Sequence, residues 1–357
     1  MPQWQTTGLS LQCYPQLPEH VSLPWDAADD YLLSESDKAA FSLILNDRHG
    51  ALATALPGNL WWSDSFCAGV ATQQNCDRNG VIPPEILSSP NLEKADTEVG
   101  QVLIRIPKQK EQLAEQLFHI ASRLPRAQVL LAGMAKHIPI PLLNWLEATA
   151  DQYEQLPVVR KARLIRISGL EKFLTSRPGF RSYSINQLQF SAPPGVFCGD
   201  RPDPGALVML KYLPADTKGI ICDLGCGNGI LAMHLARANP QAAIIATDDS
   251  ALAVSAARMN AEDNNIKLDV RHGNVLSAVP ESLDLVVCNP PFHDGHKQLT
   301  SIAEEMFRQS RERLSQNGRM LVVANRHLPY TKTLKRLFRQ TSLISDDRRF
   351  NIYDCRL

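Results

Sequence analysis

The sequence predicts an α/β protein of two tandem, doubly wound parallel sheets, the N-terminal one a degenerate copy of the C-terminal one. Three observations carry this expectation. An apolar run closing on a glycine-rich turn, Ile220-Ile221-Cys222-Asp223-Leu224-Gly225-Cys226-Gly227-Asn228-Gly229, feeds a helix-spaced segment, Ile230-Leu231-Ala232-Met233-His234-Leu235-Ala236. Two later apolar runs end in polar residues, at Thr247-Asp248-Asp249-Ser250 and at Asn289-Pro290-Pro291-Phe292. The N-terminal half repeats the spacing of these features.

A continuous apolar run ending in an acid suits a parallel strand buried on both faces. Asp223, Gly225, Gly227 and Gly229 then form a turn on which a nucleotide can lie against bare backbone, before a helix N-terminus with unpaired N–H groups. A glycine turn also joins strand to helix without binding anything, so the next strand must supply a partner. Residues 242–246 form that strand. Asp248, 25 positions after Asp223, stands where a carboxylate can accept both hydroxyl protons of a ribose. Asp249 and Ser250 read instead as caps of a helix beginning near Ala251. Asn274, after a strand at 268–271, stands where an adenine ring would be contacted, or is a plain turn residue.

The third strand, 283–288, runs into Asn289-Pro290-Pro291-Phe292. An exocyclic amine is a poor nucleophile because its lone pair is delocalised into the ring. Two acceptors that hold its two hydrogens turn the lone pair outward. The Asn289 side-chain oxygen and the Pro290 carbonyl, fixed by a rigid Pro-Pro step, suit this task. Phe292 offers a stacking face for a flipped base, worth about 1–3 kcal/mol, and Pro291 joins it on the substrate side. Read alone, the tetrapeptide is also an ordinary turn; two matching strand ends before it favour a site. No metal is expected, since His293-Asp294-Gly295-His296 lacks a third ligand and a fixed helical spacing.

The chain has 357 residues, 44% hydrophobic and 21% charged, enough for two domains with substantial cores. No apolar run approaches the roughly 18 residues of a membrane span, and the first residues do not begin a signal peptide. Eight cysteines without Cys-x-x-Cys pairs suggest a reducing compartment. Net charge is zero, which disfavours indiscriminate coating of nucleic acid, but its distribution is uneven. Residues 1–100 carry 4 Lys+Arg against 13 Asp+Glu, and residues 101–190 carry 13 against 6. The densest basic stretch, Arg160-Lys161-Ala162-Arg163-Leu164-Ile165-Arg166, can hold phosphate backbone or be the solvated face of a strand. The helix-spaced Lys332–Arg339 segment carries the same two readings.

In the repeat, Asp64-Ser65, Ala68, Ala71, Asn75 and Asn79 match Asp249-Ser250, Ala253, Ala256, Asn260 and Asn264 at a constant offset of 185. The first copy has lost the chemistry. Asn46-Asp47-Arg48-His49-Gly50 keeps one glycine, and Arg105-Ile106-Pro107-Lys108 replaces Asn289-Pro290-Pro291-Phe292.

Asp-Leu-Gly-Cys-Gly-Asn-Gly, an acidic strand end and Asn-Pro-Pro-Phe resemble class I S-adenosylmethionine-dependent methyltransferases acting on exocyclic or amide nitrogen. Joined to a degenerate first copy, they resemble the bacterial ribosomal RNA guanine-N2 methyltransferases over nearly the whole chain. Trp25–Leu33, Leu43–Asp47, Lys161–Leu164, Asn289–His293 and Val323–Leu328 look closest to the large-subunit branch. The resemblance implies two Rossmann-like class I methyltransferase domains: 1–175, degenerate and serving RNA recruitment or support, and 176–357, catalytic. It implies S-adenosyl-L-methionine as cofactor and cytoplasmic methylation of N2 of one guanine in 23S ribosomal RNA. The alternatives are a 16S ribosomal RNA guanine, a protein glutamine amide, DNA adenine, or a silent RNA-binding protein, which the intact glycine turn disfavours. Relatives usually carry Val-Phe-Ser-Arg-x-Gly-Leu-Asp-x-Gly before the catalytic core. Here Val196–Gly205 keeps Phe197, Asp203 and Gly205, while the arginine is gone from its usual place and the stretch carries Arg201 instead. That loop is expected to edge the pocket, which adds Phe197 and Asp203 to Arg160, Lys161 and Arg163 as substrate-binding candidates.

Overall fold

The computed structural model describes residues 2–16, 22–87, 92, 98–197, 201–291 and 297–357, with 297–300 as backbone only. The chain divides into two compact units, Met1–Gly179 and Phe180–Leu357. In the first, the strands are β1 (Ser42–Leu45), β2 (Leu60–Trp62), β3 (Glu85–Ile86), β4 (Gln101–Arg105), β5 (Gln128–Met134), β6 (Gln152–Gln155) and β7 (Ala162–Ser168). The helices are α1 (Ala27–Glu35), α2 (Ala51–Ala55), α3 (Phe66–Asn79), α4 (Lys110–Arg123) and α5 (Ile140–Thr149). The sheet order is β3-β2-β1-β4-β5-β7-β6. It is parallel from β3 to β5, and β7 runs antiparallel to both its neighbours.

The second unit opens with the hairpin β8 (Arg181–Ile185) and β9 (Leu188–Ala192). It continues with β10 (Gly219–Leu224), β11 (Ala242–Asp248), β12 (Asp269–His272), β13 (Leu283–Cys288), β14 (Leu314–Asn325), β15 (Gln340–Leu343) and β16 (Phe350–Arg356). Its helices are α6 (Pro204–Leu210), α7 (Ile230–Ala238), α8 (Ala251–Asp263), α9 (Lys297–Arg313) and α10 (Tyr330–Leu337). The order β12-β11-β10-β13-β14-β16-β15 reproduces the first sheet strand for strand.

The apolar runs become central strands because both sheet faces are covered. Side chains alternate across a strand. Ile221 therefore packs into a cluster with Ile244, Leu285 and Leu235, while Cys222 and Leu224 pack on the other face with Val286 and Phe307. In β1, Leu43 and Leu45 divide in the same way from Ile44. Among the described residues, no helix is long and apolar enough to cross a membrane.

The repeat spaced by 185 has a structural reason. Ser65 and Ser250 cap α3 and α8 by accepting from Ala68 N (3.1 Å) and Ala253 N (3.0 Å). About three and four turns further on, paired asparagines grip an extended segment. Asn75 and Asn79 bond both backbone groups of Gln12 and Ser10, and Asn260 and Asn264 do the same for Ser191 and Gln189. The inner asparagine of each pair also donates to the glycine-turn side: Asn75 to His49 O (2.8 Å) and Asn260 to Asn228 O (2.9 Å).

Candidate active site

The strand order reverses between β10 and β13, and an open α/β sheet binds ligands at the C-terminal strand ends beside such a switch point. There the turn after β10 is docked on the end of β11. Gly225 N and Cys226 N donate to Thr247 O (2.8 and 3.0 Å), and Gly227 N donates to Asp248 Oδ2 (2.9 Å). Gly227 and Gly229 both have positive φ, 53° and 89°. A Cβ on Gly229 would meet Ala257 at 3.3 Å, whereas one on Gly227 would meet nothing within 4 Å. Gly229 is thus fixed by packing, and Gly227 borders open space.

Asp223 lies under the turn, fully buried. Its Oδ2 accepts from Ala232 N (2.8 Å) in the first turns of α7, and its Oδ1 has no partner among the described residues. Burial pushes its carboxyl up to about 7, with the Ala232 N–H opposing and Asp248 adding to the rise. Asp248 also accepts from Ser250 N (2.9 Å), and its backbone oxygen accepts from Gly273 N (3.0 Å). That bond brings the turn of Asn274, closed by its exchange with Ser277, beside Asp248.

Asn289 ends β13. Its Nδ2 donates to Asp203 Oδ2 (2.9 Å), and its Oδ1 is buried with no partner among the described residues. The same Asp203 oxygen accepts from Ala206 N (2.7 Å) as the N-cap of α6. A Cβ on Gly205 would stand 3.0 Å from Asp203 Oδ2 and 3.4 Å from Asn289 Oδ1, so a glycine lets helix and strand end meet. Pro290 is buried and Pro291 exposed, and Phe197 is exposed before the loop. Phe292, proposed from sequence as the stacking residue, lies outside the described residues, as do His293–His296.

The first unit has the same frame with different contents. Asn46 N donates to Trp62 O (3.1 Å), as Gly225 N does to Thr247 O, and Asn46 keeps a positive φ of 61°. The turn carries its own acid: Asp47 accepts from Ala51 N (3.0 Å) and Ala53 N (2.9 Å). At the end of β4, Arg105 pairs with Asp26 (2.8 Å) and Asp29 (2.5 Å). Asp26 caps α1 through Ala28 N (2.7 Å), the place Asp203 takes on α6. Burial works against the Arg105 guanidinium, but the Asp29 and Asp26 carboxylates more than reverse it and hold it above its ordinary value.

The basic stretch is partly spent within its own unit. Arg160 and Lys161, with φ of 46° and 67°, form the turn between Val159 and Ala162, so the strand begins after them instead of running through them. Arg160 pairs with Asp30 (3.0 Å), Arg163 donates to Gln155, and Arg166 pairs with Glu154 (2.5 Å) and Glu35 (3.2 Å). Lys161 is exposed. The contacts therefore bring Asn289, Pro290 and Asp203 together at one strand end and the glycine turn, Asp223, Asp248 and Asn274 together at its neighbours. Arg160, Lys161 and Arg163 belong to the first unit.

Sequence reasoning missed the Asp203–Asn289 bond, whose partners are 86 residues apart. The available signal was an aspartate before a helix in each half, Asp26 and Asp203, opposite the strand-end positions Arg105 and Asn289.

Residues 1–171 match the family described as RLMG N-terminal domain, and residues 187–354 match Methyltransferase small domain. The chain is 36% identical to Ribosomal RNA large subunit methyltransferase G of Stutzerimonas stutzeri, over 96% of each chain. It is 34% identical to that of Pseudoalteromonas atlantica, over 95% of this chain and 94% of the other. For that of Klebsiella pneumoniae the identity is 32%, over 95% and 93%. Among solved structures, the T. thermophilus 16S rRNA N2 methyltransferase in complex with AdoMet and guanosine shares the fold, with a TM-score of 0.77 at 20% identity, covering 93% of this chain and 92% of the other. Both sheets are accordingly Rossmann-like methyltransferase folds. Identity above 30% across nearly the whole of both chains goes further than fold, and the chain belongs to the ribosomal RNA large subunit methyltransferase G family.

Proposed function

We propose that the second unit methylates the exocyclic N2 of one guanine in 23S ribosomal RNA, using S-adenosyl-L-methionine, and that the first unit recruits the RNA. The observation that carries this reading is the Asn289 amide, whose oxygen is buried at a strand end without a partner among the described residues while its nitrogen is anchored. An unpaired buried acceptor costs about 1–3 kcal/mol, a cost relieved when a substrate donor arrives.

The residues around the glycine turn fit the cofactor. Gly227 borders open space, Asp223 keeps an oxygen without a partner among the described residues, and Asp248 ends β11 beside the turn, where a carboxylate can accept ribose hydroxyls. Asn274 beside it would edge the adenine. The bound cofactor supplies an electrophilic methyl group. Asn289 Oδ1 and the Pro290 carbonyl each hold one amine hydrogen, which takes the nitrogen lone pair out of conjugation and directs it. Phe292 stacks on the flipped guanine, with Pro291 and Phe197 at its rim. Neither an amide oxygen nor a peptide carbonyl retains a proton at neutral pH, so the extra proton of the product amine passes to solvent. Lys161, with Arg160 and Arg163 beside it, gives the first unit a cationic edge for the RNA backbone.

Single-turnover methylation of 23S RNA from a strain lacking the protein, at saturating cofactor, is the test. Asn289→Ala should slow the reaction by about 100-fold while leaving cofactor affinity nearly intact, because the bond strengthens as the amine becomes tetrahedral. A rate near wild type would overturn the amine-holding role. Full guanine-N2 methylation of 23S RNA in the strain lacking the protein would overturn the substrate.

A further inference from the structure

We propose that Asp203 is a positioning residue for the methyl transfer: its carboxylate sets the orientation of the Asn289 amide, so that Oδ1 and not Nδ2 is the atom offered to the substrate amine. The inference rests on Asn289 being an amine acceptor, and it adds what makes it one.

A carboxamide is nearly symmetric in shape but opposite in chemistry at its two ends. Turned over, Asn289 would present N–H donors to an amine whose own hydrogens need acceptors. Its neighbours must therefore choose the orientation. The Asp203 carboxylate, 2.9 Å from Nδ2, has no proton to give, so the turned-over amide would set a carbonyl oxygen against a carboxylate oxygen. Asp203 is itself fixed, because the same Oδ2 accepts from Ala206 N at 2.7 Å as the cap of α6. Gly205 lets this cap approach, since a Cβ there would crowd both Asp203 Oδ2 and Asn289 Oδ1.

The first unit supplies an independent observation. Its helix-capping Asp26 also faces the adjoining strand end, and the residue there, Arg105, likewise donates to it. The acid demands a donor in both units. Arginine satisfies it with no acceptor left over, whereas asparagine satisfies it with one end and keeps an oxygen for a substrate. Conversion between a silent and a working strand end therefore depends on what remains after Asp203 has been served.

Asp203→Ser separates capping from orientation, because a serine hydroxyl can cap Ala206 N but is too short to reach Asn289. At saturating cofactor its single-turnover rate should fall about 10–100-fold, the worth of a hydrogen bond to a charged group, with cofactor affinity and thermal melting close to wild type. Asp203→Asn retains an oxygen acceptor and should stay within a few-fold of wild type. Asn289→Asp should place two carboxylates together, slowing methylation at neutral pH and recovering as the pH falls and the pair takes up one proton. A wild-type rate in Asp203→Ser beside a slow Asn289→Ala would overturn the orienting role alone; wild-type rates in both would overturn the amine-holding role beneath it. If Asp203→Ser loses cofactor affinity or stability and Asn289→Asp shows no recovery as the pH falls, Asp203 is only a helix cap and the proposal fails.

Discussion

Asp223 and Asp47 lie buried beneath corresponding turns, and burial pushes both up to about 7. Their surroundings differ. Asp47 uses both oxygens on the N–H groups of Ala51 and Ala53, whereas Asp223 uses one and the other has no partner among the described residues. The sequence shows Asp223 plainly at the end of an apolar run. It hides Asp47, because the strand position equivalent to Asp223 holds Ile44 and the acid has moved into the turn, where no periodicity marks it. A pH dependence follows from the shift. An unfolded Asp223 ionises near 3.8 and the folded one near 7, so between these values the folded chain holds an extra proton and stability falls as pH rises. The effect is complete above about 7. Asp223→Asn removes it, so the melting temperature of the variant minus that of wild type should climb from about pH 4 to about pH 7 and then level, in cofactor-free protein. Parallel curves would show that Asp223 keeps an ordinary value.

At the scale of elements, two glycines of one turn should separate stability from binding. Both have positive φ, which costs an L-residue about 1–2 kcal/mol. Gly229→Ala adds a tight contact with Ala257 on α8, 3.3 Å away, and should lower the melting temperature more than Gly227→Ala does. Gly227→Ala meets no neighbour within 4 Å among the described residues, so it should cost less stability and yet weaken cofactor binding about tenfold or more by filling the cradle. Calorimetry and melting on the two variants check this, and equal effects on both measures would remove the distinction. The turn, its helix and the two acidic or amide strand ends were all legible in the sequence, since each combines a local pattern with a local task. The asparagine clamps were legible only as a repeat. Asn75 and Asn260 recur because each ties a turn to a distant extended segment, and such a tie leaves no periodic trace.

At the scale of the whole molecule, each unit carries its own hydrophobic clusters on both faces of its own sheet. The two tandem sheets were readable because the 185-residue offset aligns cap, small residues and asparagines at once. The antiparallel direction of β7 and β16 was not, since it depends on long-range pairing and not on local pattern. Residues 180–357 alone should therefore bind S-adenosyl-L-methionine as the full chain does, while residues 1–179 alone should bind none. The second unit should methylate 23S RNA with a raised KM if the first recruits it. An unchanged KM for RNA in residues 180–357 would refute that role.

The Arg105 cluster ties the first unit's strand end to two acids at once. Replacing Arg105 with asparagine would therefore not by itself produce a strand end like that of Asn289. It would strand Asp26 and the buried Asp29 without their cation, an imbalance worth about 3 kcal/mol or more. Asp29 would have to become neutral first, yet that change alone leaves the guanidinium with half its partners. Each intermediate is less stable than either end, so the two kinds of strand end interconvert, in either direction, only when the cation and its acids change together.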